Sequence, residues 1–407
     1  MSERTKNVLL IEPYLEGYGG HFYNFLSELA SALKEKKYNV SVCVPKIFSA
    51  ASMQHDIAVY PLIPPRRSIQ LKSKGWFSSY LNRLLLLIEN IMEFFSSLMW
   101  LKKVLKQSDP ELLIQTTTTF TDLLPWLFLK PKGLPKFFIF HSADLNVKRI
   151  KIVLWLLRLF PLRECKICAF QEELLQKFRQ AGFARDNLIY FPVLIPIRQM
   201  EEFLKRNYIK VESDLFTFVY AGDAREEKGF HLLPEIVSPF LEKSYFVIQC
   251  NPSLDRKYTP LIEQSIKKLR DFNHPNLILL PRALEQEQYF SLLWRSDAVL
   301  IPYDSNSYAK SRASGILLEA LFLGKPVIVP NNTSMSDLVK KFKAGAIFES
   351  GDADSLRMAM DEIFLNHKKY AENALGAREF IKANYGGTKA VEVIEEAMKR
   401  LYTNCHF

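Results

Sequence analysis

The sequence predicts an α/β protein made of two Rossmann-like, doubly wound parallel-sheet domains that face a central cleft. The chain has 407 residues, which is enough for two domains that each bury a core. Short apolar runs alternate with longer amphipathic segments, the βαβ pattern of a parallel sheet covered on both faces. The alternation stops within residues 192–212, where Pro192 and Pro196 interrupt it, and then starts again. We therefore predict a linker there and one domain on each side of it.

Each predicted domain begins with a short apolar strand and a glycine-containing loop. In the first half, the pattern predicts a helix over His21–Lys37 and strands at Asn7–Ile11, Asn39–Pro45, Leu112–Thr116, Phe137–His141 and Lys166–Phe170. In the second half, it predicts a helix over Phe230–Leu241 and strands at Phe216–Ala221, Tyr245–Gln249, Leu277–Leu280, Ala298–Pro302 and Pro326–Val329. The tail from about 371 to 401 is predicted to be helical.

The formal net charge is +10, and the excess of basic residues lies in the first half. In residues 66–106 and 148–166, lysines and arginines are interleaved with aromatic and aliphatic side chains. This combination favours docking on an anionic membrane surface, where each cation adds about 1 kcal/mol. An ordinary core helix with solvated ends is the alternative. No nucleic-acid-binding motif accompanies the charge, so nucleic acid is not an expected partner.

Neither a leader peptide nor a transmembrane helix is expected. The apolar run Val8–Ile11 is too short for a signal sequence, and the apolar stretch 76–101 contains Arg83, Glu89 and Glu93. The five cysteines are an odd number, which argues against a disulfide framework. We expect a cytoplasmic protein that associates peripherally with the inner face of the cell membrane.

A charged loop follows the first strand of the second domain, at the strand end where doubly wound sheets bind ligands. It runs from Gly222 to Gly229 and holds Arg225 and Lys228. Its glycines permit a tight backbone, and two cations beside backbone N–H groups suit a diphosphate. Because two glutamates lie in the same run, an ordinary solvated loop is the alternative.

A second candidate site lies at the start of the helix that follows strand Ala298–Pro302. Ser314 and Gly315 begin this helix, whose free N–H groups form an anion site. Glu319 lies within it, among apolar residues on all sides. A lone buried carboxylate is unfavourable unless it is hydrogen-bonded, and a ribose diol would supply the donors. An internal ion pair is the alternative.

Three segments of the second half carry a family resemblance. They read Ala-Gly…Glu-Lys-Gly-Phe at 221–230, Ser-Asp-Ala-Val-Leu-Ile-Pro-Tyr at 296–303, and Ser-Gly-Ile-Leu-Leu-Glu-Ala-Leu…Gly-Lys-Pro-Val-Ile-Val at 314–329. Through them the chain resembles the GT-B fold glycosyltransferases of the family-four kind, which are retaining and depend on a nucleotide sugar. The likeness covers most of residues 215–365. The first half resembles the family only in pattern, through Gly19-Gly20-His21 and His141.

The resemblance implies an acceptor-side domain at 1–197, onto which a helix at about 386–407 packs back, and a donor-binding domain at 198–385. The donor would be a nucleotide-diphosphate sugar, with no metal or other cofactor required. Cations of the glycine loop would bind its diphosphate, the buried carboxylate its ribose, and the loop after Leu280 its base. The implied donor-binding residues are Gly19, Gly20, Gly222, Arg225, Lys228, Arg282, Leu284, Ser314, Gly315 and Glu319.

The implied catalytic residues are His141, beside the transferred sugar, together with Ser311 and Arg312. Ser311 stands eight residues before Glu319, where the family often has a second glutamate. The sugar hydroxyl groups would then be held by Ser311, Arg312 or Tyr308.

The residues themselves allow plainer interpretations of the first-half motifs. His141 lies before Ser142-Ala-Asp144 and could simply start a turn, and His21 is predicted to be a local cap or packing residue. In the glycine loop, Asp223 stands where the family usually has arginine, so Arg225 would have to substitute for it.

Two further motifs predict structure rather than chemistry. Asp352-Ala-Asp354 has the spacing of a metal-binding motif but precedes an amphipathic helix, so we predict a helix N-cap. In Cys165-Lys-Ile-Cys168, strand alternation places the two thiols on opposite faces, so neither zinc nor redox chemistry is predicted.

The sequence thus predicts a glycosyltransferase that moves a sugar from a nucleotide-diphosphate sugar to a glycan or lipid-linked acceptor, in surface polysaccharide or glycolipid assembly. One alternative is a nucleotide-sugar epimerase or hydrolase on the same fold. Another is a catalytically inactive nucleotide-binding partner subunit, since Ser311 replaces a family carboxylate.

Overall fold

The structure is a computed structural model. It describes residues 5–15, 20–48, 57–64, 76–129, 131, 133–141, 150–151, 164–206, 215–252, 257–308 and 314–403. The chain divides into two compact units. Unit 1 contains Met1–Pro192 and Gly387–Phe407, and unit 2 contains Val193–Gly386. Each unit is built on one parallel sheet flanked by helices, so the predicted α/β class with two doubly wound parallel sheets is confirmed.

Unit 1 has a seven-stranded sheet in the order β3-β2-β1-β4-β5-β6-β7. The strands are β1 (Asn7–Ile11), β2 (Asn39–Pro45), β3 (Ala58–Ile63), β4 (Leu112–Gln115), β5 (Lys136–Phe140), β6 (Cys165–Ala169) and β7 (Leu188–Tyr190). The described helices are α1 (Gly20–Glu35), α2 (Trp76–Ser108), α3 (Phe120–Leu129), α4 (Glu172–Gln180) and, from the end of the chain, α14 (Gly387–Thr403). The central strands are buried along their length, as expected for parallel strands covered on both faces.

Helix α14 packs against α1, although the two are far apart in sequence. The Gly387 N–H donates to Glu28 Oε1 at 2.9 Å, and the Tyr38 hydroxyl donates to Glu395 Oε1 at 3.1 Å. A Cβ atom at position 387 would lie 2.6 Å from the Glu28 carbonyl oxygen. Only glycine therefore permits this close approach of the two helices.

Unit 2 has a six-stranded sheet in the order β10-β9-β8-β11-β12-β13. The strands are β8 (Phe216–Tyr220), β9 (Ser244–Gln249), β10 (Leu277–Leu280), β11 (Ala298–Leu300), β12 (Val327–Pro330) and β13 (Gly345–Phe348). The helices are α5 (Ile197–Arg206), α6 (Leu233–Val237), α7 (Pro260–Asp271), α8 (Gln286–Arg295), α9 (Gly315–Phe322), α10 (Ser334–Phe342), α11 (Ala353–Leu365), α12 (His367–Gly376) and α13 (Arg378–Tyr385).

Both sheets have the same internal order. In each, the first strand of the unit lies between the second and the fourth, so the chain winds outward from β1 and β4 in unit 1 and from β8 and β11 in unit 2. In doubly wound sheets, the loops at the carboxyl ends of two such central strands diverge, and ligands bind in the crevice between them. We call these positions the switch points of unit 1 and unit 2.

Most predicted strands lie within one or two residues of the observed ones, but three strands escaped prediction. These are β3 and β7 at the two edges of one sheet, and β13 at an edge of the other. Edge strands have one side open to solvent. Their residues are only partly buried, so they carry a weaker apolar signal than the central strands.

The linker prediction for 192–212 was wrong over much of its length, because helix Ile197–Arg206 lies there. Ile197, Met200 and Phe203 recur at helical spacing and are buried, which explains why this segment folds. The helix predicted over Phe230–Leu241 is irregular: the α-helical part Leu233–Val237 is flanked by 3₁₀ turns. Prolines 234 and 239 lack the N–H groups that a continuous helix would use.

None of the helices in the described part of the chain has the combination of length and apolar character needed to cross a membrane.

Candidate functional site

The switch point of unit 2 begins with the glycine loop after β8. Gly222 has φ +122°, a conformation that residues with a Cβ rarely adopt, and its N–H donates to Gln249 Oε1 at 2.8 Å. Gly229 has φ +67°, and a Cβ atom there would lie 1.7 Å from the Pro302 carbonyl oxygen. Both glycines are therefore required by the path of the backbone, and the loop is held against the ends of β9 and β11.

Lys228 points back across this loop. A Cβ atom at position 222 would lie 3.1 Å from Lys228 Nζ and 3.5 Å from Ile316 Cδ1. The absence of a side chain at Gly222 thus leaves a small space bordered by the ammonium group and by the first turn of α9. Burial lowers the pKa of Lys228 from 10.5 to about 8, so the ammonium group is still charged at neutral pH.

Arg225 lies in the same loop and is held by carboxylates. Its Nη1 lies 2.9 Å from Glu227 Oε1, and its Nε lies 3.8 Å from Asp223 Oδ2. Nε is buried and makes no hydrogen bond within the described residues. Asp223, which replaces the family's usual arginine, also accepts a 2.6 Å hydrogen bond from Asn251 Nδ2. Arg225 is therefore oriented by its own loop rather than free in solvent.

Glu319 lies inside α9 and is buried, as the sequence predicts. The Tyr289 hydroxyl donates a 2.6 Å hydrogen bond to its Oε2. In the described part of the chain the partner is thus a neutral hydroxyl group and not the cation of an internal ion pair. Burial raises the pKa of Glu319 to about 7, while the hydrogen bond from Tyr289 opposes this shift. A further donor, such as a diol, would favour the ionised form.

The start of α9 carries a side-chain cap. The Ser314 hydroxyl caps the helix by accepting a 3.3 Å hydrogen bond from the Leu317 N–H. A Cβ atom at Gly315 would meet no atom of the described residues within 4 Å. Since Ile316 also borders the space beside Gly222, the first turn of this helix and the glycine loop lie together at the switch point.

The loop proposed to contact the base is joined to the same site by Gln249. The Gln249 side chain accepts from Gly222 N–H through Oε1 and donates through Nε2 to the Arg282 carbonyl oxygen at 3.3 Å. Arg282 is exposed and Leu284 is half-buried. Tyr308 is buried against the ring of Tyr303, with 4.4 Å between centroids. Ser311, Arg312 and Gly19 lie outside the described residues.

The switch point of unit 1 contains a buried carboxylate that the sequence analysis missed. Glu12 directly follows β1 and is fully buried. Its Oε2 accepts hydrogen bonds from the hydroxyl groups of Thr116 at 2.7 Å and Thr117 at 2.6 Å, and its Oε1 accepts from the Tyr14 N–H at 2.8 Å. Burial raises the pKa of Glu12 to about 7, although these hydrogen bonds oppose the shift.

His141 lies next to this carboxylate cluster, at the end of β5. Its Nε2 is 2.8 Å from the Thr116 carbonyl oxygen and 3.4 Å from Thr117 Oγ1. Its Nδ1 is 3.2 Å from Nε2 of His21, which lies in the first turn of α1. The imidazole is also surrounded by phenylalanine rings, and burial lowers its pKa to about 3. His21 is therefore the hydrogen-bonding partner of His141, a contact that the sequence did not predict.

Two of the remaining predictions concern single positions. Gly20 has φ +74° and begins α1, so it provides the turn that brings His21 to the sheet edge. Asp352 is a helix N-cap as predicted: its side chain accepts hydrogen bonds from the N–H groups of Asp354 and Ser355. Within the described residues, no group of three or more His, Cys, Asp or Glu side chains is arranged to hold a metal ion.

Comparison with known structures identifies the fold. The chain matches the crystal structure of a glycosyltransferase from Rickettsia africae with a TM-score of 0.67 at 13% identity, covering 99% of this chain and 100% of the other. HepE from Anabaena, in complex with UDP and glucose, matches with a TM-score of 0.61 at 14% identity, covering 97% and 99%. The UDP-GlcNAc 2-epimerase of Neisseria meningitidis, bound to UDP-GlcNAc, matches with a TM-score of 0.55 at 17% identity, covering 97% and 99%. The fold is therefore GT-B, as the resemblance implied.

A family model matches most of unit 2. Residues 202–380 match the model of the glycosyl transferases group 1 family, whose members use nucleotide-sugar donors. No curated protein sequence matches the chain significantly. The chain thus carries a group 1 glycosyltransferase domain within a GT-B fold, and it is a glycosyltransferase enzyme.

Proposed function

We propose that this glycosyltransferase transfers a sugar, with retention of the anomeric configuration, from a nucleotide-diphosphate sugar to a glycan or lipid-linked acceptor. We further propose that it acts in surface polysaccharide or glycolipid assembly, at the inner face of the cell membrane. Retention and the absence of a metal requirement rest on the resemblance to family-four enzymes.

The observation that carries the donor proposal is the arrangement at the switch point of unit 2. A charged Lys228 borders the side-chain-free space at Gly222, next to the first turn of α9. An ammonium group, backbone N–H groups and a helix N-terminus together favour a diphosphate. Glu319 lies on the same helix, where its carboxylate would accept hydrogen bonds from the ribose hydroxyl groups.

The test is a calorimetric binding panel of UDP, GDP, ADP and CDP against wild type and Glu319→Ala. One nucleotide should bind, and the substitution should weaken it about ten- to hundredfold because a charged hydrogen-bonding partner is lost. The matching nucleotide sugars are then assayed for transfer, hydrolysis and epimerisation, and NMR of the product reports its anomeric configuration. Folded protein that binds none of the four nucleotides would overturn the donor-site assignment. Binding without any turnover would favour the inactive-subunit alternative.

The membrane proposal rests on an exposed stripe along helix α2. Ile88, Met92, Phe95 and Met99 are exposed by 45–68% and recur every three or four residues, so they lie on one face. The same spacing continues to the exposed residues Lys102 and Lys106, with Lys103 beside them, while Leu101 and Val104 face the core. We call this set of exposed residues from 88 to 106 the α2 stripe.

The chemistry of the α2 stripe fits an anionic lipid surface. Large apolar side chains that leave water gain about 25 cal/mol per Å² buried, and adjacent lysines are attracted to acidic headgroups. Phe128 on α3 is 68% exposed and its ring centroid lies 5.1 Å from that of Phe94, so it widens the apolar area. Of the predicted membrane segments, residues 66–75 and most of 148–166 lie outside the described residues.

Vesicle sedimentation tests this docking. Wild type should bind vesicles that contain anionic lipid at low salt and dissociate at high salt, since salt screens the lysines. The triple variant Lys102→Glu, Lys103→Glu, Lys106→Glu should lose binding. A matched control, Lys267→Glu with Lys268→Glu on the exposed face of α7, should retain it. Equal binding of wild type to neutral vesicles, or no binding to either kind, would overturn the electrostatic docking.

A further inference from the structure

The two histidines at the switch point of unit 1 form a hydrogen-bonded pair whose proton positions follow from their partners. The Thr116 carbonyl oxygen can only accept, so His141 Nε2, at 2.8 Å, must carry a hydrogen. In the neutral ring Nδ1 is then a lone pair, and it lies 3.2 Å from His21 Nε2. His21 Nε2 must therefore be the donor, which leaves Nδ1 of a neutral His21 as a hydrogen-bond acceptor.

The inner end of this pair is held rigidly. Thr116 is fixed by its backbone hydrogen bond to Ile11 O at 2.9 Å, and Glu12 accepts from the hydroxyl groups of both Thr116 and Thr117. The carbonyl group that sets the tautomer of His141 is therefore anchored to a buried carboxylate and to the neighbouring strand. Glu12 thus acts on His141 indirectly, through the end of β4.

The surroundings of His141 keep its ring uncharged. Three phenylalanine rings contact it edge-on, with centroid distances of 4.7 Å for Phe170 and 5.8 Å for both Phe22 and Phe25. Burial lowers the pKa of His141 to about 3, so its Nδ1 remains a lone pair at neutral pH. Desolvation lowers the pKa of His21 below 6.5 as well, so the pair acts through hydrogen bonds and not through positive charge.

The outer end of the pair is accessible, because the side chain of His21 is exposed. It lies at the carboxyl ends of β1 and β5, the edge where doubly wound sheets bind ligands. A lone pair on a neutral ring attracts an O–H or N–H donor and repels an anionic oxygen. A ligand group that matches this nitrogen is a hydroxyl group, which sugars carry in abundance.

From this geometry we infer that His21, and not only His141, contacts substrate: its Nδ1 accepts a hydrogen bond from a sugar hydroxyl group, while His141 holds the His21 ring in place. This inference rests on the proposed function. The hydroxyl group belongs either to the donor sugar or to a sugar of the acceptor. Both sources share the same chemistry, and the assay below separates them.

Two amide substitutions separate the nitrogens of His21. In Asn the amide reaches the position of Nδ1, and in Gln it reaches that of Nε2. His21→Asn keeps an acceptor for the substrate, whereas His21→Gln keeps the donor to His141 and loses the acceptor. We expect His21→Gln to lower kcat/KM roughly three- to tenfold, as for one lost hydrogen bond, and His21→Asn to lower it clearly less. His21→Phe, which keeps only the ring shape, should be at least as impaired as His21→Gln.

The source of the hydroxyl group follows from assays with and without acceptor. If it is on the donor sugar, hydrolysis of the nucleotide sugar without acceptor falls in His21→Gln by the same factor as transfer. If it is on the acceptor, hydrolysis is unchanged and the acceptor KM rises. Both outcomes support the inference. A His21→Gln variant whose kcat/KM for transfer equals that of wild type would overturn it. So would the reverse order, in which His21→Asn is impaired and His21→Gln is not, because His21 would then serve only His141.

The proton positions have a test that does not depend on turnover. In protein labelled with ¹⁵N-histidine, the nitrogen shifts of both rings should show the neutral tautomer with hydrogen on Nε2, assigned through the variants His21→Gln and His141→Gln. A hydrogen on Nδ1 of His141 would overturn the inference even if the enzyme is fully active. The nucleotide affinities of His21→Gln, measured by calorimetry, should match those of wild type. If wild type itself binds no nucleotide, the proposed donor site is wrong. The nitrogen shifts still test the proton positions of His21 and His141 independently.

Discussion

The two switch points are built alike but carry different charges. In unit 1, Glu12 is buried and accepts hydrogen bonds from Thr116 and Thr117; in unit 2, Glu319 is buried and accepts one from Tyr289. Burial raises the pKa of both carboxyl groups to about 7. Each unit therefore places a carboxyl group with a pKa near neutral pH at its switch point.

The difference lies in what surrounds the carboxyl group. In unit 2 the neighbouring loop supplies Lys228 and Arg225, and the first turn of α9 lies beside it. In unit 1 the neighbours are a histidine pair and phenylalanine rings, and burial keeps His141 neutral. Under our two proposals, one switch point binds an anion and the other binds uncharged hydroxyl groups, because the side chains of the loops decide the chemistry.

The largest expected effect comes from removing the cation of unit 2. Lys228→Ala should weaken binding of the nucleoside diphosphate at least about a hundredfold, because breaking a partly buried ion pair costs about 3–5 kcal/mol. Calorimetry measures the loss, and Lys267→Ala on the exposed face of α7 is the control. Unchanged affinity in Lys228→Ala would show that unit 2 does not bind its ligand through charge.

The pH dependence of the same binding sharpens this point. Lys228 has a pKa of about 8 in the free protein, so the fraction that is protonated falls above that pH. Affinity for the diphosphate should therefore decrease as the pH rises above about 8. Lys228→Arg stays charged and should lose this dependence, even if its affinity is lower than that of wild type. A wild-type affinity that does not change up to about pH 10 would contradict the assignment.

The next effect concerns stability in unit 1. The folded-state pKa of Glu12, about 7, lies above its ordinary value of 4.5. Its contribution to stability is complete below 4.5 and is lost as the pH rises through 7, a loss of about 3 kcal/mol. Glu12→Gln cannot ionise, and Thr116 can then donate to the Ile11 carbonyl oxygen at 3.0 Å. Between pH 4.5 and 8, the unfolding free energy of this variant minus that of wild type should therefore increase by about the same amount.

Urea denaturation of the two proteins across this pH range measures the change. Glu173→Gln, at an exposed site on α4, should follow the wild-type curve. If the curves for Glu12→Gln and wild type stay parallel at all pH values, the pKa of Glu12 is the same in the folded and the unfolded protein. Glu12 and Glu319 would then differ, because only the pKa of Glu319 would be raised by burial.

A smaller effect is expected from the hydroxyl partner of Glu319. Tyr289→Phe removes the 2.6 Å hydrogen bond but keeps the ring. Nucleotide affinity should change by less than in Glu319→Ala, about three- to tenfold, because the carboxylate that receives the ribose remains. Calorimetry on both variants gives the comparison. An equal loss in the two would mean that Tyr289, and not the carboxylate, is the main contact of the nucleotide.

The smallest effect is expected at Thr117. Thr117→Val keeps the shape of the side chain but removes its hydrogen bond to Glu12 and should cost about 1 kcal/mol of unfolding free energy. Thr117→Ser keeps the hydroxyl group and should lose less. If both variants are as stable as wild type, the Glu12 cluster of unit 1 does not depend on Thr117.

Much of the fold could be predicted because buried parallel strands are uniformly apolar. Strands such as β1 and β9 and the cap at Asp352 lie where the sequence pattern places them. The half-exposed edge strands β3, β7 and β13 lack that uniform pattern and were missed. Helix α5 was missed for a different reason. Its polar residues and the nearby prolines are typical of a linker, but three buried side chains stabilise the helix.

The structure adds partners to the predicted site residues that the sequence did not reveal. Glu319 stands out in the sequence because it is a carboxylate within an apolar helix. Glu12 follows an equally apolar strand, so the same argument could have found it. Gln249 and Tyr289 carry no such signal: one ends a strand and the other lies within a helix of mixed character.

The sequence by itself therefore determined the two parallel sheets, the glycine loop with its cations, and the carboxylate of α9, since periodicity, glycine and buried charge are local properties. Only the tertiary structure decided which distant residues meet: Glu12 with Thr116 and Thr117, Glu319 with Tyr289, and His21 with His141. These partners are 30 to 120 positions apart. They are brought together by the order of strands in each sheet, which no local pattern of residues encodes.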